Sequence, residues 1–297
     1  MTTAQTPPVR QPISDTWRAV IWMSGAVVSF ISMAIAGRAV SFELDTFEIM
    51  MWRSFIGVAI VCAVLSARNR WHEVSTRHMG LQVVRNLAHF TGQNLWFYAI
   101  TVIPLAQVFA LEFTSPLWVL VLSPLVLGEK LTPTRGLAAL IGFAGILIVT
   151  RPSPETLNLG LLCAAGAAVG FALTGVLTRR LTRTVSVFCI LFWLTVLQAI
   201  FGLICAGYDG DIALPSLASL PWVVLIGCAG LLAHLCLTTA LSLAPATVVM
   251  PIDFARLPLA AIIGAMLYAE PLDPYVLLGA AVIFGGNYLN IWKETRA

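Results

Sequence analysis

Within blocks built otherwise from Leu, Ile, Val, Ala and Phe stand a few residues able to do chemistry: Arg53; Arg85, Asn86, His89, Gln93 and Asn94; Gln107 and Glu112; Asp253 and Arg256. Their spacing is that of helix faces. Arg85, His89 and Trp96 fall at i, i+4 and i+11, and Asn86, His89, Gln93 and Phe97 follow the same rule one place over. Asp253 and Arg256 stand at i, i+3, where they can pair on one helix. An ionisable group at bilayer depth costs about 2.5–3.5 kcal/mol, so each of these should face a partner or a cavity. The stripe therefore reads either as a structural hydrogen-bond network or as the lining of a solute site. Phe90, Phe109, Phe113 and Phe171 lie near the same level and could stack on an apolar or planar solute. The candidate substrate-binding set is His89, Phe90, Gln93, Phe109, Glu112, Phe113, Phe171, Asp253 and Arg256. Arg85, about one turn from a predicted helix end, could simply snorkel to the interface. His89, His234, Glu112 and Asp253 could in principle ligate a metal, but no HExxH or GxGD-type motif supports an intramembrane enzyme. No catalytic residue, cofactor or metal is expected.

The elements that position these residues are membrane helices. Of 297 residues, 59% are hydrophobic and 10% charged, against about 25% charged in a soluble domain. A span needs about 20 apolar residues, and ten blocks qualify, near 18–37, 47–66, 80–101, 104–127, 134–150, 157–178, 186–206, 219–240, 245–269 and 272–292. The polar, Pro-rich start does not resemble a signal peptide. The six cysteines lie in or beside apolar blocks without CxxC spacing and read as small buried hydrophobes. With an inside N-terminus, twelve Lys and Arg fall on the cytoplasmic side and Arg38 and Arg151 alone on the outer side. That asymmetry places both termini in the cytoplasm. Trp17, Trp22, Trp71 and Trp292 read as interface anchors.

The chain also contains itself twice. A gapless shift of 141 positions sets Pro104 on Pro245, Phe113 on Phe254, Glu129 on Glu270 and Phe143 on Phe284, with Glu112 on Asp253. Upstream it sets Gly25 on Gly166, Phe30 on Phe171, Arg38 on Arg179 and Trp52 on Trp193. The expected organisation is a tail (1–17), a first repeat (18–155), a second repeat (156–292) and a tail (293–297). Five spans per repeat force the second to enter the membrane reversed, a transporter architecture with its site between the repeats near the midplane. Glu112 and Asp253 each lie eight residues past a helix-leading proline, or about 12 Å along a helix, so both approach that midplane from opposite faces. Arg53 or His89 are the foreseen partners of Glu112, with protonation the other way to neutralise it. Glu129, at a helix end, reads as architectural. Pro116, Pro251 and Pro258 should kink the fourth and ninth spans. Gly166 with Gly170, and Gly279 with Gly285 and Gly286, should thin helix faces for close packing.

Ten helices in two repeats, each with a proline-led fourth helix ending in G-E-K-L or A-E-P-L, an acid–Phe centre (LEF, IDF) and a Gly-rich fifth helix, resemble the EamA family of the drug/metabolite transporter superfamily. The likeness covers 18–292. It implies an all-α membrane protein, ten transmembrane helices as two inverted five-helix repeats around a central cavity, in a bacterial inner membrane. It implies a secondary transporter or facilitator working by alternating access, exporting aromatic or other neutral amino acids as the YddG-type exporters do. The alternative is an uptake carrier for a vitamin or nucleoside-like metabolite, of the riboflavin or S-adenosylmethionine type. A non-transporting scaffold is a third class, disfavoured by the buried ionisable groups. Expected partners are a small-molecule substrate and the lipid bilayer, not nucleic acid, with the chain a monomer or weak homodimer. No G-x-x-x-x-G-K-[ST] loop is present, so transport would be gradient-coupled or facilitated.

The topology makes one prediction. A reporter fused at Ala297 should be active only in the cytoplasm; activity in the periplasm would overturn the orientation.

Overall fold

The computed structural model describes residues 13–127, 133–151, 157–243 and 252–294. Their regular elements are all helices. The order is α1 (Ile13–Val40), α2 (Thr46–Ala67), a 3-10 turn (Trp71–Glu73), α3 (Met79–Val102), α4 (Leu105–Glu112), α5 (Ser115–Leu127), α6 (Pro133–Thr150), α7 (Leu159–Leu181), α8 (Val187–Ala206), α9 (Leu220–Leu243), α10 (Arg256–Tyr268) and α11 (Pro274–Glu294). Among the described residues, six helical stretches are long and apolar enough to cross a membrane, and three further apolar helices are shorter. α3 is in neither group because its polar stripe lowers its hydropathy.

Side-chain caps start several helices. Asp45 and Glu48 form a reciprocal capping box at α2, each bond 2.8 Å. At the position 141 places on, Ser186 caps α8 by accepting from the Cys189 amide at 3.2 Å.

The two halves interlock by exchange. α1 packs along α9 and α3 along α7; α2 lies against α8, α6 against α11, and α4 against α10. Swapping the repeats turns the first pairing into the second and the α2–α8 and α6–α11 pairings into themselves, which is the mark of a two-fold axis between reversed copies. The close approaches obey the same rule. A Cβ on Gly25 would stand 3.1 Å from Cys236 Sγ, and one on Gly166 would stand 3.1 Å from Leu95 Cδ1. Leu95 and Cys236 are themselves equivalent positions. Gly145 and Gly279 face each other so tightly that a Cβ on either would lie 2.8 Å from the other's carbonyl oxygen. Gly285 instead meets open space, so only its neighbours thin the α6–α11 contact.

The fourth span is broken, not merely kinked. α4 stops at Glu112, Phe113 and Thr114 form a turn, and α5 begins at Ser115; in the second repeat Phe254 and Ala255 form the turn at the equivalent place, before α10. Pro116 cannot donate to the Glu112 carbonyl, and the Ser115 hydroxyl donates to it at 2.7 Å. The Phe113 carbonyl accepts from Asn287 Nδ2 on α11 at 3.0 Å. Pro245, Pro251 and Glu129, marked as helix-leading, kinking and architectural residues, lie outside the described residues.

One end of the bundle is closed by a polar lock. Arg38 at the end of α1 donates to the Ile103 carbonyl at 2.9 Å and to the Ile100 carbonyl, so it caps α3. It also ion-pairs with Glu270, whose other oxygen accepts from the Leu105 amide at 2.9 Å at the start of α4. Gly264 makes room for this, since a Cβ there would lie 2.1 Å from Glu270 Oε2. Arg151 pairs with Asp273 nearby. Behind the lock, Trp96, Phe97 and Phe109 are buried, with Trp96 edge-on to both rings at 5.3 and 6.1 Å.

Arg38→Ala removes two helix-cap donors and leaves Glu270 unpaired, and should cost about 1–3 kcal/mol. Glu270→Gln keeps an acceptor for the Leu105 amide and should cost less. Thermal unfolding of the two purified variants checks the order, and an unchanged melting temperature in Arg38→Ala would sink the lock.

Candidate functional site

The breaks in the fourth and ninth spans meet at the axis. Phe113 and Phe254, equivalent residues, stack on each other with ring centroids 4.2 Å apart and planes 15° apart. A residue that touches its own copy must lie on the two-fold axis, so this pair marks the molecular centre. One residue before each ring stands an acid, Glu112 or Asp253, and both acids reach the same guanidinium. Arg256 Nη1 donates to Glu112 Oε1 at 3.0 Å, Nη2 donates to Asp253 Oδ2 at 2.8 Å, and Nε lies 2.7 Å from Asp253 Oδ1. Trp96 Nε1 donates to the remaining Glu112 oxygen at 2.8 Å. The Arg256 guanidinium sits against Phe30 at 4.5 Å and Phe113 at 4.8 Å. Arg256 is thus the partner of Glu112, in place of the Arg53 or His89 foreseen from the sequence. The position equivalent to Arg256 is Ser115, so the cluster breaks the symmetry it sits on: two carboxylates share one cation.

A cavity of about 350 Å³ begins at this cluster and runs between α3 and α7 toward Arg85 and Thr178. His89, Gln93, Glu112, Phe113, Phe171, Asp253 and Arg256 line it as expected. Phe90 and Phe109 do not. One residue beyond His89, Phe90 is turned about a quarter of the helix away; it stacks on Phe47 at 6.2 Å and meets Phe201 edge-on at 5.9 Å. Phe109, fully buried, stands behind Trp96 and 5.6 Å from the Arg256 guanidinium.

Three further features of the lining follow from the repeat and from helix spacing. Phe30 lines the cavity just as its equivalent Phe171 does. Thr174 and Thr178 continue the Phe171 face of α7 at i+3 and i+7. His234, equivalent to Gln93, faces His89 from α9 with ring centroids 6.2 Å apart. Arg85 does not snorkel: only 6% exposed, it donates to Thr178 Oγ1 and Asn86 Oδ1, each at 3.0 Å. Arg53 reaches Gln93 Oε1 instead of an acid, in the space that Gly230 leaves open.

The imidazole of His89 carries the chemical interest. It is 4% exposed, both ring nitrogens lack a hydrogen-bond partner, and Phe171 lies 6.1 Å away. A buried polar group left unpaired costs about 1–3 kcal/mol, which a solute in the cavity would recover by bonding it. Among the described residues no cluster of three metal-ligating side chains occurs.

Comparison with known proteins agrees with this architecture. The profile of the EamA-like transporter family matches residues 17–151 and 158–292. A riboflavin transporter of Brucella anthropi is 32% identical over 244 residues, 80% of this chain and 85% of that one. A riboflavin transporter of Vibrio cholerae is 27% identical over 94% of this chain and 95% of its own. An S-adenosylmethionine uptake transporter of Rickettsia bellii is 24% identical over 93% and 94%. A crystal structure 20% identical, covering 94% of this chain and 98% of that one, superposes with a TM-score of 0.63, a likeness of fold alone.

The shared cation yields a stability ranking. Arg256→Ala strands two buried carboxylates and should destabilise by about 3–5 kcal/mol. Glu112→Gln leaves Asp253 paired and keeps an acceptor for Trp96, so its cost should be clearly smaller. Folded yield and melting temperature of both variants check this; equal stability in Arg256→Ala and wild type would show that the cluster does not join the repeats.

Proposed function

The chain belongs to the EamA-like transporter family, and on that premise we propose that it is an uptake carrier for a small heteroaromatic metabolite of the riboflavin type. The observation that carries this reading is the unpartnered His89 imidazole beside Phe171 in the central cavity. A flat heterocycle offers ring faces to Phe171 and Phe113 and edge nitrogens or oxygens to His89 and Gln93. The likeness to riboflavin and S-adenosylmethionine carriers favours this class over the amino acid exporter that the sequence motifs also allowed. An adenosyl sulfonium compound is the second reading, and a specific feature favours it: at one end of the cavity two acids, Glu112 and Asp253, face the one cation Arg256, while Arg85 lines the far end.

In this scheme the broken spans are the moving parts. Alternating access exchanges the ends at which the two repeats seal the cavity. With the Arg38–Glu270 lock closing the outer end, the cavity belongs to an inward-facing state, and both termini are cytoplasmic in a bacterial inner membrane. His89, Gln93, Glu112, Phe113, Phe171, Asp253 and Arg256 form the substrate site, with Phe90 and Phe109 in supporting positions.

Proteoliposomes offered labelled riboflavin, S-adenosylmethionine and tryptophan separate the readings. Riboflavin should enter saturably and compete with neither amino acid nor inorganic ions. His89→Ala should lower its uptake about 10-fold, the worth of about 1.4 kcal/mol, at unchanged folded yield. Accumulation of tryptophan without riboflavin or S-adenosylmethionine would overturn the proposal.

A further inference from the structure

A second cavity of about 320 Å³ opens on the outer wall of the bundle, between α2, α8 and α9. Its walls are apolar: Val64, Val187, Leu191 and Leu235 among them. Its floor is His234, the same residue that lines the central cavity, so one imidazole separates the two spaces. The lining positions run from Leu231 at the middle of α9 toward one end of α2, α8 and α9, the end where α2 passes into Arg68 and Arg70 and where Arg183 precedes α8. The three arginines are exposed there. The Arg70 guanidinium lies 5.0 Å from the ring of Phe188, a wall residue of the cavity, and pairs with Glu73. The loop is held against α8, because Trp193 Nε1 donates to the Ser75 carbonyl at 2.9 Å and Trp71 meets Phe192 edge-on at 5.9 Å.

The repeat supplies a control. The positions equivalent to Phe188, Leu231 and Ile60 are Phe47, Phe90 and Phe201, at the opposite end of the molecule. There the three rings pack on one another and fill the space. The crevice is therefore not dictated by the fold; small aliphatic residues keep it open at one end only, and that end carries the basic loops.

We propose that this crevice binds an anionic phospholipid of the cytoplasmic leaflet, one acyl chain along Val64, Leu191 and Leu235 and the headgroup at Arg68, Arg70 and Arg183. An apolar groove in a membrane wall is covered by lipid tails, and basic residues at the mouth select a negative headgroup. The tail ends against His234, so the bound lipid fixes the imidazole that faces His89 across the central cavity.

Native mass spectrometry of the full-length detergent-solubilised protein tests this with phosphatidylglycerol and phosphatidylcholine of identical chains. The wild type should retain phosphatidylglycerol over phosphatidylcholine by about 10-fold. Arg68→Gln with Arg183→Gln should bring the two lipids to near parity while one chain is still held. Val64→Trp, and separately Leu235→Trp at an outward-facing position, should fill the crevice and lose both lipids at a wild-type melting temperature. Equal retention of the two lipids by the wild type would overturn the headgroup assignment. Undiminished phosphatidylglycerol on a folded Trp variant would overturn the crevice, as would a two-copy complex in place of bound lipid. Should either Trp variant fail to fold, the arginine pair decides.

Discussion

The shared guanidinium of Arg256 is the contact on which the rest of the arrangement depends, because it ties an acid of one repeat to an acid of the other in the middle of the membrane. Glu112 comes from α4, and Asp253 and Arg256 from the two sides of the break at Phe254 and Ala255. In a soluble interior such a cluster could often be exchanged for apolar side chains at little cost. Here each partner alone would be a charge in hydrocarbon, so none can leave without the others. The consequence is mechanical. The two broken spans cannot separate at the axis without exposing a charge.

The break itself follows from the same place in the sequence. Interrupting a helix at bilayer depth frees carbonyls that no water can satisfy. The Ser115 hydroxyl and the Asn287 amide take up the two freed at Glu112 and Phe113. Irregular backbone is thereby kept beside a cavity, which is the one setting in which a membrane tolerates it. The two equivalent phenylalanines, stacked across the axis, fill the centre without adding a polar group.

The duplication is accurate in its packing and inaccurate in its chemistry. Gly25 with Cys236 repeats as Gly166 with Leu95, at the same distance. Arg256 repeats as Ser115, His234 as Gln93, and the open crevice beside Phe188 as the ring cluster around Phe47. Backbone approach is set by the symmetry of the fold and tolerates little change. Arg256, His234 and the crevice residues differ from their equivalents where side chains face the central cavity or the crevice, while Phe30 and Phe171 keep their ring there.

What the sequence alone determined was everything that follows from periodicity and from the cost of polarity in lipid. The ten spans, the doubling and the approach of two related acids to the middle of the bundle could be read from block lengths, the 141-residue shift and the positions of Glu112 and Asp253. Asp253 with Arg256 was legible too, since i, i+3 neighbours share a helix face. What only the tertiary structure decided was which groups meet across helices. Arg256 and not Arg53 answers Glu112, because the breaks turn the ninth span toward the fourth while Arg53 is drawn into the space above Gly230. Phe90, one residue from His89, is buried between Phe47 and Phe201 and away from the cavity, because a single residue turns a helix by about a quarter of its circumference. Spacing along a chain fixes the face on which a side chain sits; the rotation of that face against its neighbours depends on how close two backbones can come, and that is a property of both helices together.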